Sequence, residues 1–141
     1  MANIIPDAFK SELLSGTHNF ANGGNSFKIA LYTNISGYSA STSVYSATNE
    51  VQSSGTSYPA GGQALDSQAV AVASNVAFVD FADEVFSSVT LAAVGAVIYN
   101  DTEGDKLVVV LDFGGTKTAT NGDFTIQFPA AGASTAILRI A

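Results

Sequence analysis

From Phe27 onward the apolar residues recur at every second position, and this period decides the fold class. Phe27, Ile29 and Leu31 fall on one face of an extended segment, with Lys28, Ala30 and Tyr32 on the other. Phe124, Ile126 and Phe128 alternate with Asp123, Thr125 and Gln127, the pattern of a strand with one wet face. Further strands are expected over Ala64–Val72, Asn75–Phe81, Ser87–Tyr99 (with a break at Gly95), Lys106–Phe113 and Thr135–Ile140, with a short one around Val44–Val51. Gly114-Gly115 and Asn121-Gly122 are strong turn dipeptides between such runs. Leu107–Leu111 and most of Leu91–Ile98 are apolar on both faces, so each needs cover on two sides. The expected architecture is all-β: one antiparallel β-sandwich or barrel, jelly-roll or immunoglobulin-like, spanning residues 1–141.

Two segments depart from the period of two. Over residues 6–15 a short N-terminal helix is expected. Pro6 suits its start, Phe9 and Leu13 share a face, and Gly16 stops it. So short a helix is unstable alone and must pack on this domain or on a neighbour. Phe9, Leu13 and Leu14 are therefore candidate interface residues. Residues 34–62 form a long Ser/Thr/Tyr-rich loop that carries Tyr38, Tyr45 and Tyr58. Tyrosine joins apolar area to a hydroxyl, so these three are a candidate contact surface or the pins that hold the loop to the sheet.

Charge excludes several functions. Twelve acidic residues against five basic ones give a net charge of −7, the wrong sign for displacing counterions from nucleic acid. Charged residues make up 12% of the chain, about half the usual share, so part of the surface is expected to be covered by another copy or another protein. The chain has no cysteine, which excludes disulfides, thiolate metal sites and a cysteine nucleophile. No apolar run is long enough for a membrane helix, and the first ten residues lack the pattern of a secretory signal. No membrane partner is expected.

Residues with chemical potential do not assemble into a reaction centre. His18 is the one histidine, beside the helix C-terminus, where the dipole alone favours an imidazole. Asp101, Glu103 and Asp105 alternate like ligands of a calcium loop, but Lys106 stands where glycine is needed and an apolar run follows. Gly114-Gly115-Thr116-Lys117-Thr118 lacks the first glycine of a phosphate loop and any helix behind it. Asp80, Asp83 and Glu84 form a second dense acidic group; Asp80 is expected to face Arg139 or a backbone amide. The expectation is a non-enzymatic protein with no catalytic, metal or cofactor-binding residues.

Three stretches carry a resemblance to a known family. They are Ile4-Ile5-Pro6-Asp7-Ala8-Phe9-Lys10-Ser11-Glu12-Leu13-Leu14-Ser15-Gly16, Phe27-Lys28-Ile29-Ala30-Leu31-Tyr32-Thr33, and Leu111-Asp112-Phe113-Gly114-Gly115 running through Asn121-Gly122 to Phe128-Pro129. The chain resembles small virion structural proteins of tailed bacteriophages, of the kind that decorate or cement the capsid. The resemblance implies binding to the major capsid protein on the outer surface of the virion, assembly in the host cytoplasm, and no catalytic residues. Icosahedral shells offer three-fold sites, so a homo-oligomer such as a trimer is expected. A tail or fibre module that recognises a host-surface glycan through the tyrosine-bearing loop is the alternative.

Overall fold

The computed structural model describes residues 3–141. One helix, α1 (Asp7–Leu14), precedes seven strands: β1 (Phe27–Tyr32), β2 (Gln63–Ala64), β3 (Ala69–Ala73), β4 (Val76–Asp80), β5 (Glu84–Asn100), β6 (Lys106–Ile126) and β7 (Leu138–Ile140). They form two antiparallel sheets, ordered β2-β1-β5-β6 and β3-β4-β7, and neither closes on itself. The all-β expectation and the single short helix agree with this arrangement. Helix α1 starts after Pro6 and is terminated at Gly16, whose φ of +75° breaks the helical path.

The larger sheet has apolar residues on both faces, as its sequence requires. On one face Phe27, Ile29, Leu31, Ile98 and Val108 join Phe9, Phe20, Val79, Phe81 and Leu138, so α1 and the smaller sheet share a core with it. On the other face Ala30, Tyr32, Val97, Tyr99, Leu107 and Val110 pack beneath Ile35, Tyr38 and Tyr45 of the 34–62 loop. That loop contains no named strand. The strand expected around Val44–Val51 is reduced to isolated bridges, Tyr32 to Glu50 and Val44 to Lys106. Its Ser- and Thr-rich backbone is held by scattered backbone bonds, such as Val51 N–H to the Leu31 carbonyl and Tyr45 N–H to the Asp105 carbonyl, and by side chains, without a continuous ladder. The exposed area of the whole chain is 6966 Å², close to the roughly 6,800 Å² expected of a monomer of this mass. The doubly apolar strands are therefore covered within the chain.

The turn dipeptides act in another way than their sequence suggests. Strand β6 runs unbroken through Gly114-Gly115 and Asn121-Gly122, so Asp123–Phe128 does not form a strand of its own. The pairing with β5 jumps from Ala93↔Lys117 to Gly95↔Asp112, and again from Val89↔Gly122 to Leu91↔Ala119. Positive φ at Gly114 and Asn121 therefore serves β-bulges that bend one long hairpin. Gly95 does not break β5; a Cβ there would lie 2.5 Å from the Leu111 carbonyl oxygen and 2.8 Å from Ile35, so glycine admits the loop's closest approach. The run expected as Ala64–Val72 is split between the two sheets at Ser67, whose φ is +55°.

Gly62 fixes the loop's return to β1. Its φ is +81°, and a Cβ would fall 1.9 Å from the Ile29 carbonyl oxygen. Gly62→Ala is expected to lower the unfolding free energy by about 3 kcal/mol or more, combining left-handed strain with overpacking against backbone. At Gly55 φ is +73°, but a methyl placed on its Cα would meet no atom within 4 Å. Gly55→Ala should cost only about 1 kcal/mol. Urea titration of the two variants checks the difference.

Candidate functional site

All five tyrosines of the chain meet around the 34–62 loop. The Tyr38 hydroxyl donates to that of Tyr32 at 2.8 Å, and Tyr32 donates to the Ser46 carbonyl at 2.5 Å. Tyr58 accepts from the Leu31 amide at 2.9 Å and donates to Glu50 at 2.7 Å. Tyr45 donates to the other oxygen of the Glu50 carboxylate and stacks on Tyr99 with ring centroids 4.5 Å apart. Glu50 also accepts from the Gly61 amide at 2.9 Å, and Tyr99 donates to the Gly61 carbonyl at 2.5 Å. Tyr38 and Tyr58 are buried and Tyr45 is partly so. The hydroxyls of all three are engaged inside the chain, as residues that pin the loop to the sheet would be. Glu50, the hub, was not singled out by sequence reasoning. The available signal was that it is the only charged residue between Lys28 and Asp66.

His18 is likewise occupied. Asn100 accepts at Oδ1 from the Thr102 and Glu103 amides, which directs its Nδ2 at His18 Nδ1, 2.9 Å away. Nδ1 is thus the acceptor, and Nε2–H donates to Glu12 at 3.1 Å. The ring lies 4.9 Å from that of Phe9, and Phe20 stacks on Phe27 at 4.3 Å. The imidazole ties α1 to the end of β5. The acidic run Asp101–Asp105 is the β5–β6 turn, with Asp101 3.6 Å from Lys28. Among the described residues no three His, Asp or Glu side chains come together as a metal site. Asp83 accepts from the Phe128 amide, while Glu84 accepts from Gln63 at 2.6 Å. Burial raises the Glu84 pKa above the usual carboxylate range, partly opposed by Gln63 and reinforced by Asp66. Arg139, one of the two partners expected for Asp80 beside a backbone amide, sits opposite Phe78 and reaches the Ala133 carbonyl.

An apolar groove of about 640 Å³ runs between α1 and the smaller sheet. Phe9 and Leu13 from α1, Phe20, Val79 from β4 and Leu138 from β7 line it, with Val70 of β3 and Ile140 of β7. No carboxylate lines it, although the chain holds twelve; Lys10 and Arg139 do. Lys10 pairs with Asp7 at 3.0 Å. Among the described residues seven large apolar side chains are exposed, and Ile5, Leu14, Val70 and Ile140 of these line the groove. Leu14 is 91% exposed. Of the candidate interface residues on the helix, Phe9 is buried as floor, Leu13 is partly covered, and Leu14 faces outward. Sequence reasoning found the helix side of this groove and missed the strand side, because Val70, Ile140 and the helix are brought together only by folding.

Comparison with protein-family models, curated proteins and solved structures returns no match to this chain.

Desolvation in the covered layer raises the pKa values of Tyr32, Tyr45, Tyr58 and Tyr99 well above the ordinary phenol value of about 10. Neighbouring phenols and Glu50 add to the rise at Tyr32, Tyr45 and Tyr58. Above that pH the unfolded chain releases protons that the folded chain retains, so stability is full below about pH 10 and falls as pH rises further. Phenolate absorbance should stay suppressed in the native protein and appear together with alkaline unfolding. Glu50→Ala, which leaves two phenols and an amide without their acceptor, is expected to cost about 2–4 kcal/mol in urea titration.

Proposed function

We propose that the chain is a structural protein of a phage virion, a decoration or cement protein that binds the major capsid protein and copies of itself to stabilise the head. One observation carries the reading: an apolar surface that bears no carboxylate, formed by the groove and the exposed Leu14, Val70, Val72 and Ile140, stays uncovered. Apolar patches of this kind mark contact with other macromolecules, and attraction scales at about 25 cal/mol per Å² buried. Few ionic groups have to be desolvated when such a contact forms. The resemblance of the Ile4–Gly16, Phe27–Thr33 and Leu111–Pro129 stretches to phage decoration proteins supports the same reading. The engagement of the Tyr38, Tyr45 and Tyr58 hydroxyls inside the chain favours this reading over a glycan-recognising tail or fibre module.

Quantitative mass spectrometry of purified particles tests the proposal. The expected result is this chain in copy number comparable to the major capsid protein. Absence from the particle, or a handful of copies, would overturn it.

A further inference from the structure

We infer that the free edge of β3 pairs with the same edge of a second copy, antiparallel and centred on Ala71, so that two small sheets join into one. Strand β3 lies at the end of its sheet, with β4 as its only strand neighbour among the described residues, and all five of its residues are exposed. Its hairpin to β4 turns through Ser74 and Asn75, with φ of +51° and +65°, a two-residue turn that makes Ala73↔Val76 a hydrogen-bonded pair. Because hydrogen-bonded and non-bonded pairs alternate, Ala69, Ala71 and Ala73 direct their backbone groups to β4. The N–H and C=O groups of Val70 and Val72 then point away from the sheet. The strand reads Ala-Val-Ala-Val-Ala, the same in both directions. An antiparallel copy turned about Ala71 therefore meets Val70 with Val72 and Val72 with Val70, and four hydrogen bonds close. Ala71 faces its own counterpart on the two-fold axis.

The edge also lacks what usually prevents such pairing. It holds no proline, lysine or other charge, and no bulge, whereas the opposite edge, β7, is three residues long and carries Arg139. In a chain of net charge −7 this is a place where two copies approach without facing ionic groups. Val70 and Val72 share the groove's face of the sheet, so pairing runs the apolar faces of the two copies into one surface. An edge of five residues, about 17 Å long, is smaller than the roughly 1,000 Å² that a stable solution dimer buries. The pairing is thus transient in dilute solution and takes hold where copies are held close together. The inference does not rest on the virion reading; the edge pairs whether or not the chain is found in a particle.

Cysteine cross-linking of the full chain, which has no cysteine of its own, tests it. At the non-bonded Ala71 pair the Cα atoms stand about 4.5 Å apart, within disulfide reach. Ala71→Cys is expected to give a disulfide dimer under mild oxidation on the order of tenfold faster than Ala69→Cys alone. Ala69→Cys mixed with Ala73→Cys should cross-link as a heterodimer, since those positions oppose each other. All three positions are exposed, and unchanged circular dichroism checks that each variant is folded. An Ala71→Cys chain that stays monomeric, or an Ala69→Cys chain that dimerises as fast, overturns the pairing; either result would leave the edge to another protein or to solvent.

Discussion

A sheet that is apolar on both faces must be covered on both, and this requirement organises the molecule. Strands β1, β5 and β6 have Ile29, Leu31 and Ile98 on one face and Tyr32, Tyr99 and Leu107 on the other. The first face is met by α1 and the smaller sheet. The second is met by a loop that has no ladder of its own and holds its position through phenols and a few backbone bonds to β1, β6 and the β5–β6 turn. Each tyrosine brings apolar area to the sheet and uses its hydroxyl to satisfy a polar group that the covered layer would otherwise strand. Glu50 accepts two of those bonds, from Tyr45 and Tyr58, and a third from the Gly61 amide.

Once both faces are sealed within the chain, the remaining apolar surface stands out. Among the described residues five of the seven exposed large apolar side chains, Ile5, Leu14, Val70, Val72 and Ile140, lie at the groove between α1 and the smaller sheet or at the adjoining edge of β3. The aromatic floor of the groove, with Phe9 against His18 and Phe20 stacked on Phe27, is rigidly tied to the core through the His18–Asn100 and His18–Glu12 hydrogen bonds. The surface that could meet a partner is thus preorganised, and little conformational freedom is lost on association.

Much of the fold is legible in the sequence because its physical cause is local. Alternation places β1 and β4, the double apolar runs identify the covered parts of β5 and β6, and Pro6 with Gly16 bounds α1. The bends of the β5–β6 hairpin are not legible, since a bulge and a turn call on the same residues; Gly114 and Asn121 supply positive φ either way. The loop's tyrosines are visible in the sequence, but their role depends on Glu50 and Ser46 meeting them in space. The groove was half visible: helix periodicity marks Phe9 and Leu13, whereas Val70 and Ile140 acquire meaning only through the register of β3, β4 and β7.

The claim that the 34–62 loop is a full layer of the core, and the β3 edge an open one, is tested most directly by hydrogen exchange in dilute solution. The amides of Tyr45, Val51 and Gly61, bonded to Asp105, Leu31 and Glu50, are expected to exchange as slowly as those of the central strands, by global unfolding. The amides of Val70 and Val72 should exchange orders of magnitude faster. Loop amides that exchange as fast as those two would contradict the account.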